Sequence, residues 1–208
     1  MDWVKKFLSE SDLKEIEAAV IKAEKSTSGE IVPVLIRQSG AYYHIPIIVF
    51  LILLTAIQFL NFRPANGWYF FCEIIVLATV SQVLTKISLV RRVLTYTQEA
   101  ARQVNIRAEL EFYSSRINQT EDQTGILLFL SFQERMAVVL ADKKISKVHD
   151  NKTWDEVVAL MTSSIKEGKL KDGIVKAIER CGEILAKDFP KREFDTDELS
   201  NKLIIKDI

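Results

Sequence analysis

Two long apolar segments dominate the hydropathy pattern of this chain. The first segment runs from Ile45 to Phe62 without a charged residue, and the second runs from Trp68 to Leu84 with Glu73 as its one charge. A helix rises about 1.5 Å per residue, so each segment comes close to crossing a hydrocarbon core of about 30 Å. The pattern therefore predicts a transmembrane helical hairpin over residues 41–85, with a compact turn between its helices.

Charged residues near the segment ends indicate how the hairpin is oriented. Basic residues favour the cytoplasmic side of a membrane, and the turn between the helices holds Arg63 alone. Glu73 lies about one turn inside the Trp68 boundary, and its carboxylate is expected to reach the membrane interface. The outer ends of the hairpin carry four basic residues: Arg37, Lys86, Arg91 and Arg92.

The expected location is therefore the inner membrane, as a multi-pass protein with the soluble domain and both termini in the cytoplasm. The first residues of the chain do not resemble a cleaved secretion signal, which agrees with a cytoplasmic N-terminus. The expected partners are the lipid bilayer and other membrane proteins.

Outside the hairpin, helical and strand patterns alternate. Ser9 and Asp12 form a capping-box pattern before a helix over residues 11–26. Pro33 in the first strand argues for an edge position or a bulge. The second strand is continuously apolar, as is typical of the inside of a sheet, and a short connection makes the third strand antiparallel to it. The predicted strands are 30–37, 126–130 and 136–141, and the later helices are 90–116, 153–167 and 170–187.

These elements predict an α/β fold with a small mixed β-sheet flanked by helices and interrupted by the two-helix transmembrane hairpin. Residues 1–40 and 86–189 are expected to form one split cytoplasmic domain around the hairpin at residues 41–85. Residues 190–208 are predicted to be an irregular C-terminal tail.

Composition and motifs exclude several kinds of function. The 28 basic and 28 acidic side chains cancel, so no overall charge favours nucleic acid, which is not expected as a partner. Cys72 and Cys181 lack the spacing of a metal site or a disulfide framework. His44 and His149 offer neither a catalytic triad nor a zinc site, and no glycine-rich phosphate loop is present.

A series of short segments carries a resemblance to a known family. The segments are Phe7–Glu10, Ala23–Glu24, Thr27–Val32, Thr124–Leu127, Val139–Asp142, Trp154–Asp155 and Asp172–Ile174. Their order and spacing resemble the TPM domain, in the branch of predicted membrane proteins. The resemblance implies an α/β/α domain, with acid phosphatase activity and divalent-cation binding attributed to some members and photosystem repair to plant members. The hairpin inside the domain departs from the C-terminal anchor that many members carry.

Acidic residues gather at one predicted edge of the sheet. If the first two strands are parallel, they begin at the edge where the antiparallel third strand ends. Glu30, Asp122 and Asp142 lie at this edge and are candidate ligands for Ca²⁺ or Mg²⁺, which prefer oxygen donors. The preferred alternative is a solvated, acid-rich edge with Lys143 and Lys144 as counterions.

The sequence thus favours a membrane-anchored TPM-type domain of unknown biochemical activity, acting as an interaction or assembly module at the cytoplasmic membrane. The alternative is a divalent-metal-dependent acid phosphatase, so the sequence leaves open whether the protein is an enzyme. A third interpretation, an oligomeric transport element, depends on Glu73 alone.

Overall fold

The computed structural model describes residues 3–40, 42–60, 67–192 and 197–207, without the side chains of Ser88, Arg91 and Arg92. Phe62, the predicted end of the first membrane segment, and the turn with Arg63 lie outside these residues. The chain divides into two units, one formed by residues 1–39 and 101–208 and the other by residues 40–100. The two ends of the chain therefore build one unit, and its middle builds the other.

Helices and strands alternate in the order α1, β1, α2 to α5, β2, β3, α6 to α8, β4. The helices are α1 (Glu10–Glu24), α2 (His44–Phe59), α3 (Gly67–Leu84), α4 (Ser88–Leu94), α5 (Thr97–Ser114), α6 (Lys143–Ser146), α7 (Asp155–Glu167) and α8 (Leu170–Asp188). The strands are β1 (Glu30–Ile36), β2 (Gly125–Ser131), β3 (Met136–Ala141) and β4 (Ile204–Lys206).

Helix α1 begins at the predicted capping box. The Ser9 hydroxyl accepts a hydrogen bond from the backbone N–H of Asp12 at 3.2 Å, and the Asp12 carboxylate accepts one from the backbone N–H of Ser9 at 2.8 Å. Two N–H groups that the helix itself leaves unpaired are thereby satisfied. The capping-box prediction is confirmed.

The four strands form one mixed sheet in the order β3-β2-β1-β4. Strand β1 pairs in parallel with β2, and β2 pairs antiparallel with β3. The antiparallel pairing of β2 with β3 and the position of the apolar strand β2 inside the sheet were predicted, whereas the parallel pairing of β1 with β2 was only a condition of the predicted acid-rich edge. The mixed α/β fold is therefore confirmed.

Strand β4 corrects the prediction of an irregular tail. Ile204–Lys206 pairs in parallel with Val34–Ile36 and makes β1 an internal strand over that length. Pro33 lies just before this pairing, where the outer side of β1 has no partner in β4. Proline has no N–H to donate, so it is tolerated at a position of β1 that comes before the hydrogen bonds to β4.

Helices cover both faces of the sheet. Helices α1, α7 and α8 pack against Ile31, Leu35, Ile126 and Leu128 on one face. Helix α5 packs against Val32, Val34, Leu127 and Phe129 on the other. Successive strand residues point to opposite faces, so continuously apolar strands supply both cores.

The unit of residues 40–100 contains the two apolar helices α2 and α3, which pack against each other. Within the described residues, α3 is the one helix that is long and apolar enough to cross a membrane, while α2 is a shorter apolar helix. The second predicted segment therefore coincides with α3. Glu73 was expected to reach an interface, but both its carboxylate oxygens are buried and have no hydrogen-bond partner among the described residues.

Candidate functional site

The acid-rich edge of the sheet forms as the strand directions predict. The N–H of Glu30 donates to the carbonyl of Thr124 at 3.1 Å, and the N–H of Asp142 donates to the carbonyl of Gly125 at 2.9 Å. The beginnings of β1 and β2 and the end of β3 therefore meet through backbone hydrogen bonds.

The acidic side chains at this edge nevertheless separate. Asp122 pairs with Lys144 at 3.1 Å and with Arg192 at 2.7 Å. The hydrogen bond from Lys144 is the main reason that the pKa of Asp122 lies below its ordinary value. Asp142 caps α6 by accepting a hydrogen bond from the N–H of Lys143 at 2.7 Å. The structure thus gives both residues local roles.

Glu30 instead joins an acidic group that contains neither Asp122 nor Asp142. One carboxylate oxygen from each of Glu24, Glu30 and Asp197 lies within 4.8 Å of the others. Glu24 is the last residue of α1, Glu30 is the first residue of β1, and Asp197 comes from the C-terminal part of the chain. Three separate segments therefore meet at this group.

The turn between α1 and β1 fixes two of the three carboxylates. The hydroxyl of Thr27 donates to the carbonyl of Phe189 at 2.6 Å and accepts from the N–H of Gly29 at 3.0 Å. The N–H of Ser28 donates to the same carbonyl at 2.9 Å. These bonds tie the turn to the end of α8 and hold Glu24 and Glu30 on either side of it.

Backbone N–H groups orient the buried carboxylates. Glu24 accepts a hydrogen bond from the N–H of Ile31 at 2.8 Å, on the outer side of β1 before the pairing with β4 begins at Val34. Glu30 accepts from the N–H groups of Glu198 and Leu199 at 3.3 and 3.4 Å. Each carboxylate therefore has a donor that favours its charged form.

Burial opposes that charged form. Glu24 and Glu30 are each only 7% exposed. Loss of solvent raises the pKa of Glu24 to about 8 and that of Glu30 to about 7, and neighbouring carboxylates add to both effects. Near neutral pH, Glu24 and Glu30 are therefore expected either to bind a proton or to lie next to a positive ion.

The donor set fits the divalent cation that the family resemblance implies. Ca²⁺ and Mg²⁺ take carboxylate oxygens, and these three residues supply carboxylates only. Glu24 also lies at the C-terminal end of a helix, where the helix dipole adds negative potential. Glu24, Glu30 and Asp197 would hold the ion, which would neutralise two buried charges.

Sequence reasoning found Glu30 and missed the other two members. Glu24 follows Val20 by four residues and Ile16 by eight, so it lies on the buried face of α1. An acid on an apolar helical face was therefore an available signal. No comparable signal marks Asp197.

We expect stability to fall with rising pH when divalent cations are chelated. The ordinary pKa of both glutamates is 4.5, so between that pH and about 8 the folded chain binds more protons than the unfolded chain. The stabilisation is full below pH 4.5 and is lost as pH rises through the folded pKa values, by up to about 1.4 kcal/mol per pH unit for each carboxyl.

Thermal unfolding of the detergent-solubilised chain across this pH range measures the effect. Glu24→Gln should flatten the profile, whereas Glu109→Gln, at an exposed position on α5, should leave it unchanged. Equal slopes in the wild type and in Glu24→Gln would contradict the assignment.

Comparison with known proteins agrees with the fold and identifies its class. The family model described as the TPM domain matches residues 79–184. The chain belongs to the TPM domain family. It is similar to the NMR structure of the BA42 protein from the psychrophilic bacterium Bizionia argentinensis, with a TM-score of 0.62 and 23% identity over 99% of this chain and 100% of that one. No curated protein matches the chain.

Proposed function

We propose that this TPM-domain protein is anchored in the inner membrane by a hairpin of α2 and α3, and that its α/β unit is a cation-binding interaction module in the cytoplasm. The observation that carries the proposal is the exposed apolar surface of α3. Only 11% of this 18-residue helix is buried, and Trp68, Phe71 and Ile75 are 76%, 63% and 66% exposed.

Such a surface is explained by lipid rather than by water. An apolar helix in the core of a soluble protein is mostly buried, and soluble proteins seldom expose large apolar patches. Helix α2 presents a similar surface, with Ile47, Leu51 and Phe59 at 60%, 53% and 87% exposure. Its 16 residues span about 24 Å, which a bilayer accommodates by small changes in thickness.

The orientation follows from the distribution of basic residues. Arg37 and Lys86 flank the outer ends of the hairpin, and the sequence places Arg91 and Arg92 shortly after it. With Arg63 alone in the turn, the positive-inside tendency favours a cytoplasmic α/β unit.

Cysteine labelling in intact cells tests the anchor and its orientation together. A membrane-impermeant maleimide should label Ala65→Cys in the turn without permeabilisation. Lys152→Cys, at an exposed position of the α/β unit, should react only after the membrane is opened. The wild-type chain gives the background from Cys72 and Cys181. Labelling of Lys152→Cys in sealed cells, or failure of Ala65→Cys to react there, would contradict the orientation.

In the proposed module, Ca²⁺ or Mg²⁺ binds Glu24, Glu30 and Asp197. The family resemblance and the three converging carboxylates support this part. A metal-dependent phosphatase would use the same ion to polarise a phosphate oxygen. Phosphomonoester hydrolysis that requires the cation and is lost in Asp197→Asn would favour the enzyme, and cation binding without hydrolysis would favour the interaction module.

A further inference from the structure

Three aromatic side chains form an exposed patch on the α/β unit. Val4 and Leu8 are buried in the core under α1, α7 and α8, and they fix the short 3-10 helix that precedes α1. Phe7 lies between them in sequence and is nevertheless 49% exposed. The centre of the Phe132 ring lies 4.6 Å from that of Phe7 and 5.5 Å from that of Trp3. We call Trp3, Phe7 and Phe132 the aromatic patch.

The aromatic patch lies at the sheet edge where β1 and β2 end. Phe132 directly follows β2, and its N–H donates to the carbonyl of Ile36, the last residue of β1, at 3.0 Å. Helix α1 begins beside the patch and ends at Glu24, whose carboxylate accepts the N–H of Ile31 near the start of β1. The two ends of α1 therefore mark opposite edges of the sheet.

The chain leaves the α/β unit for α2 from the edge that carries the patch. The N–H of Ser39 donates to the carboxylate of Glu134, in the turn after β2, at 3.1 Å. Residues 40–43 separate Ser39 from His44, the first residue of α2. An extended chain spans at most about 3.6 Å per residue, so this connection reaches no further than about 18 Å. With α2 in lipid, this edge is tethered next to the membrane surface.

The side chains around the patch are those that an anionic membrane surface attracts. Aromatic residues favour the membrane interface, and Lys and Arg favour anionic headgroups. Residues 3–8 and 132–135 carry three basic side chains and one acidic side chain, Glu134. The carboxylate of Glu134 is already bonded to the Ser39 N–H. The basic residues are Lys5, Lys6 and Arg135, and all three are exposed.

We propose that the aromatic patch, together with Lys5, Lys6 and Arg135, is a second membrane contact that docks the α/β unit on anionic phospholipids of the cytoplasmic leaflet. The proposal rests on the hairpin anchor of the proposed function and adds a lipid-selective surface outside the hairpin. Because the anchor keeps this surface at a high local concentration near the lipid, a weak contact is sufficient.

Quenching of tryptophan emission by brominated lipids tests the contact in the full chain. With Trp3→Phe and Trp68→Phe, buried Trp154 is the tryptophan that remains. Phe7→Trp then adds an emitter in the patch, and Ile21→Trp, at a 41% exposed position near the other end of α1, is the matched control. In nanodiscs of brominated phosphatidylcholine with phosphatidylglycerol, residue 7 should be quenched and residue 21 should not. Omission of phosphatidylglycerol or addition of salt should reduce the quenching.

Charge variants test the lipid selectivity. Each basic side chain near an anionic surface favours contact about fivefold, so Lys6→Gln with Arg135→Gln should lower the ratio of docked to undocked units about 25-fold. Lys25→Gln, at an exposed position at the other end of α1, should leave the ratio unchanged. The same loss in Lys25→Gln, or no loss in the double variant, would contradict a contact with anionic headgroups.

Trp68 separates this proposal from the anchor on which it rests. In the Trp3→Phe chain, quenching of Trp68 reports whether α3 lies in lipid. Quenching of Trp68 without quenching of residue 7 would leave the anchor intact and overturn the second contact, and the patch would then fit a protein partner. Equal quenching of residues 7 and 21 would overturn it as well. Absence of quenching at Trp68 would overturn both the anchor and the contact.

Discussion

Gly173→Ala is expected to lower the free energy of unfolding by about 3 kcal/mol, because α7 and α8 pack too closely at this point for a methyl group. A Cβ atom at residue 173 would lie 2.0 Å from the Cβ and Oγ atoms of Ser164 and 3.0 Å from the carbonyl oxygen of Leu160. The Cβ atom of Ser164 is fixed to the backbone of α7 and cannot rotate away. The two helices must therefore separate, which opens the core that they share with the sheet.

Chemical denaturation followed by tryptophan fluorescence in a Trp3→Phe, Trp68→Phe background measures this loss, since the emission then comes from Trp154, which is 4% exposed. Gly67→Ala is a control, because a Cβ there meets nothing within 4 Å. Ser164→Gly in the Gly173→Ala background should recover much of the loss, at a cost of about 1 kcal/mol for glycine inside a helix. Unaltered stability in Gly173→Ala would show that α7 and α8 do not pack as described.

Glu111→Gln is expected to lower the free energy of unfolding by about 2 kcal/mol, because the buried carboxylate of Glu111 accepts hydrogen bonds from two positively charged side chains. Its side chain is 2% exposed and accepts from Arg107 at 2.6 Å as well as from Lys206. Removing one partner of a buried pair is strongly destabilising. The cost is reduced here because Arg107 and Lys206 are 25% and 36% exposed and regain some hydration.

The same variant should loosen the C-terminal segment, since Lys206 belongs to β4. Denaturation and proteolysis of residues 197–207 are the measurements, and Glu109→Gln on the same helix is the matched control, which should stay within about 0.5 kcal/mol of the wild type. A Glu111→Gln variant as stable as Glu109→Gln would contradict the importance of this ion pair.

The internal position of β2 and the antiparallel direction of β3 could be predicted, because the sequence patterns that mark them are local and have one structural interpretation. The five consecutive apolar residues of Ile126–Leu130 identified an internal strand, and the short turn after them left only an antiparallel partner. Ser9 and Asp12 marked a helix start by chemistry that acts over three residues. Local patterns of this kind can be interpreted without knowledge of the rest of the fold.

Strand β4 could not be predicted in the same way. Three residues are too few for a period of two to be recognised, and Ile204–Lys206 pairs with a strand about 170 residues away. The hydrogen bond from the N–H of Leu199 to the carboxylate of Glu30 spans a similar separation. The pairing depends on long-range packing and on the ion pair with Glu111. Neither leaves a local signal.

The candidate site was predicted to the level of a sheet edge but not to the level of side chains. Strand direction placed Glu30, Asp122 and Asp142 at the same edge. The loop before β2 then turns through Gln123 in the left-handed region, with φ at 55°. A non-glycine residue in that conformation is uncommon, so the direction of Asp122 toward Lys144 and Arg192 could not be read from the sequence.

The central claim is that lipid surrounds α2 and α3, and fractionation of cells expressing the full chain tests it most directly. The protein should sediment with membranes, resist extraction by alkaline carbonate and enter solution only with detergent. Replacing Ile75 and Val76 with lysine, at 66% and 58% exposure on α3, should impair membrane insertion. Recovery of the wild-type chain in the aqueous supernatant without detergent would contradict the account.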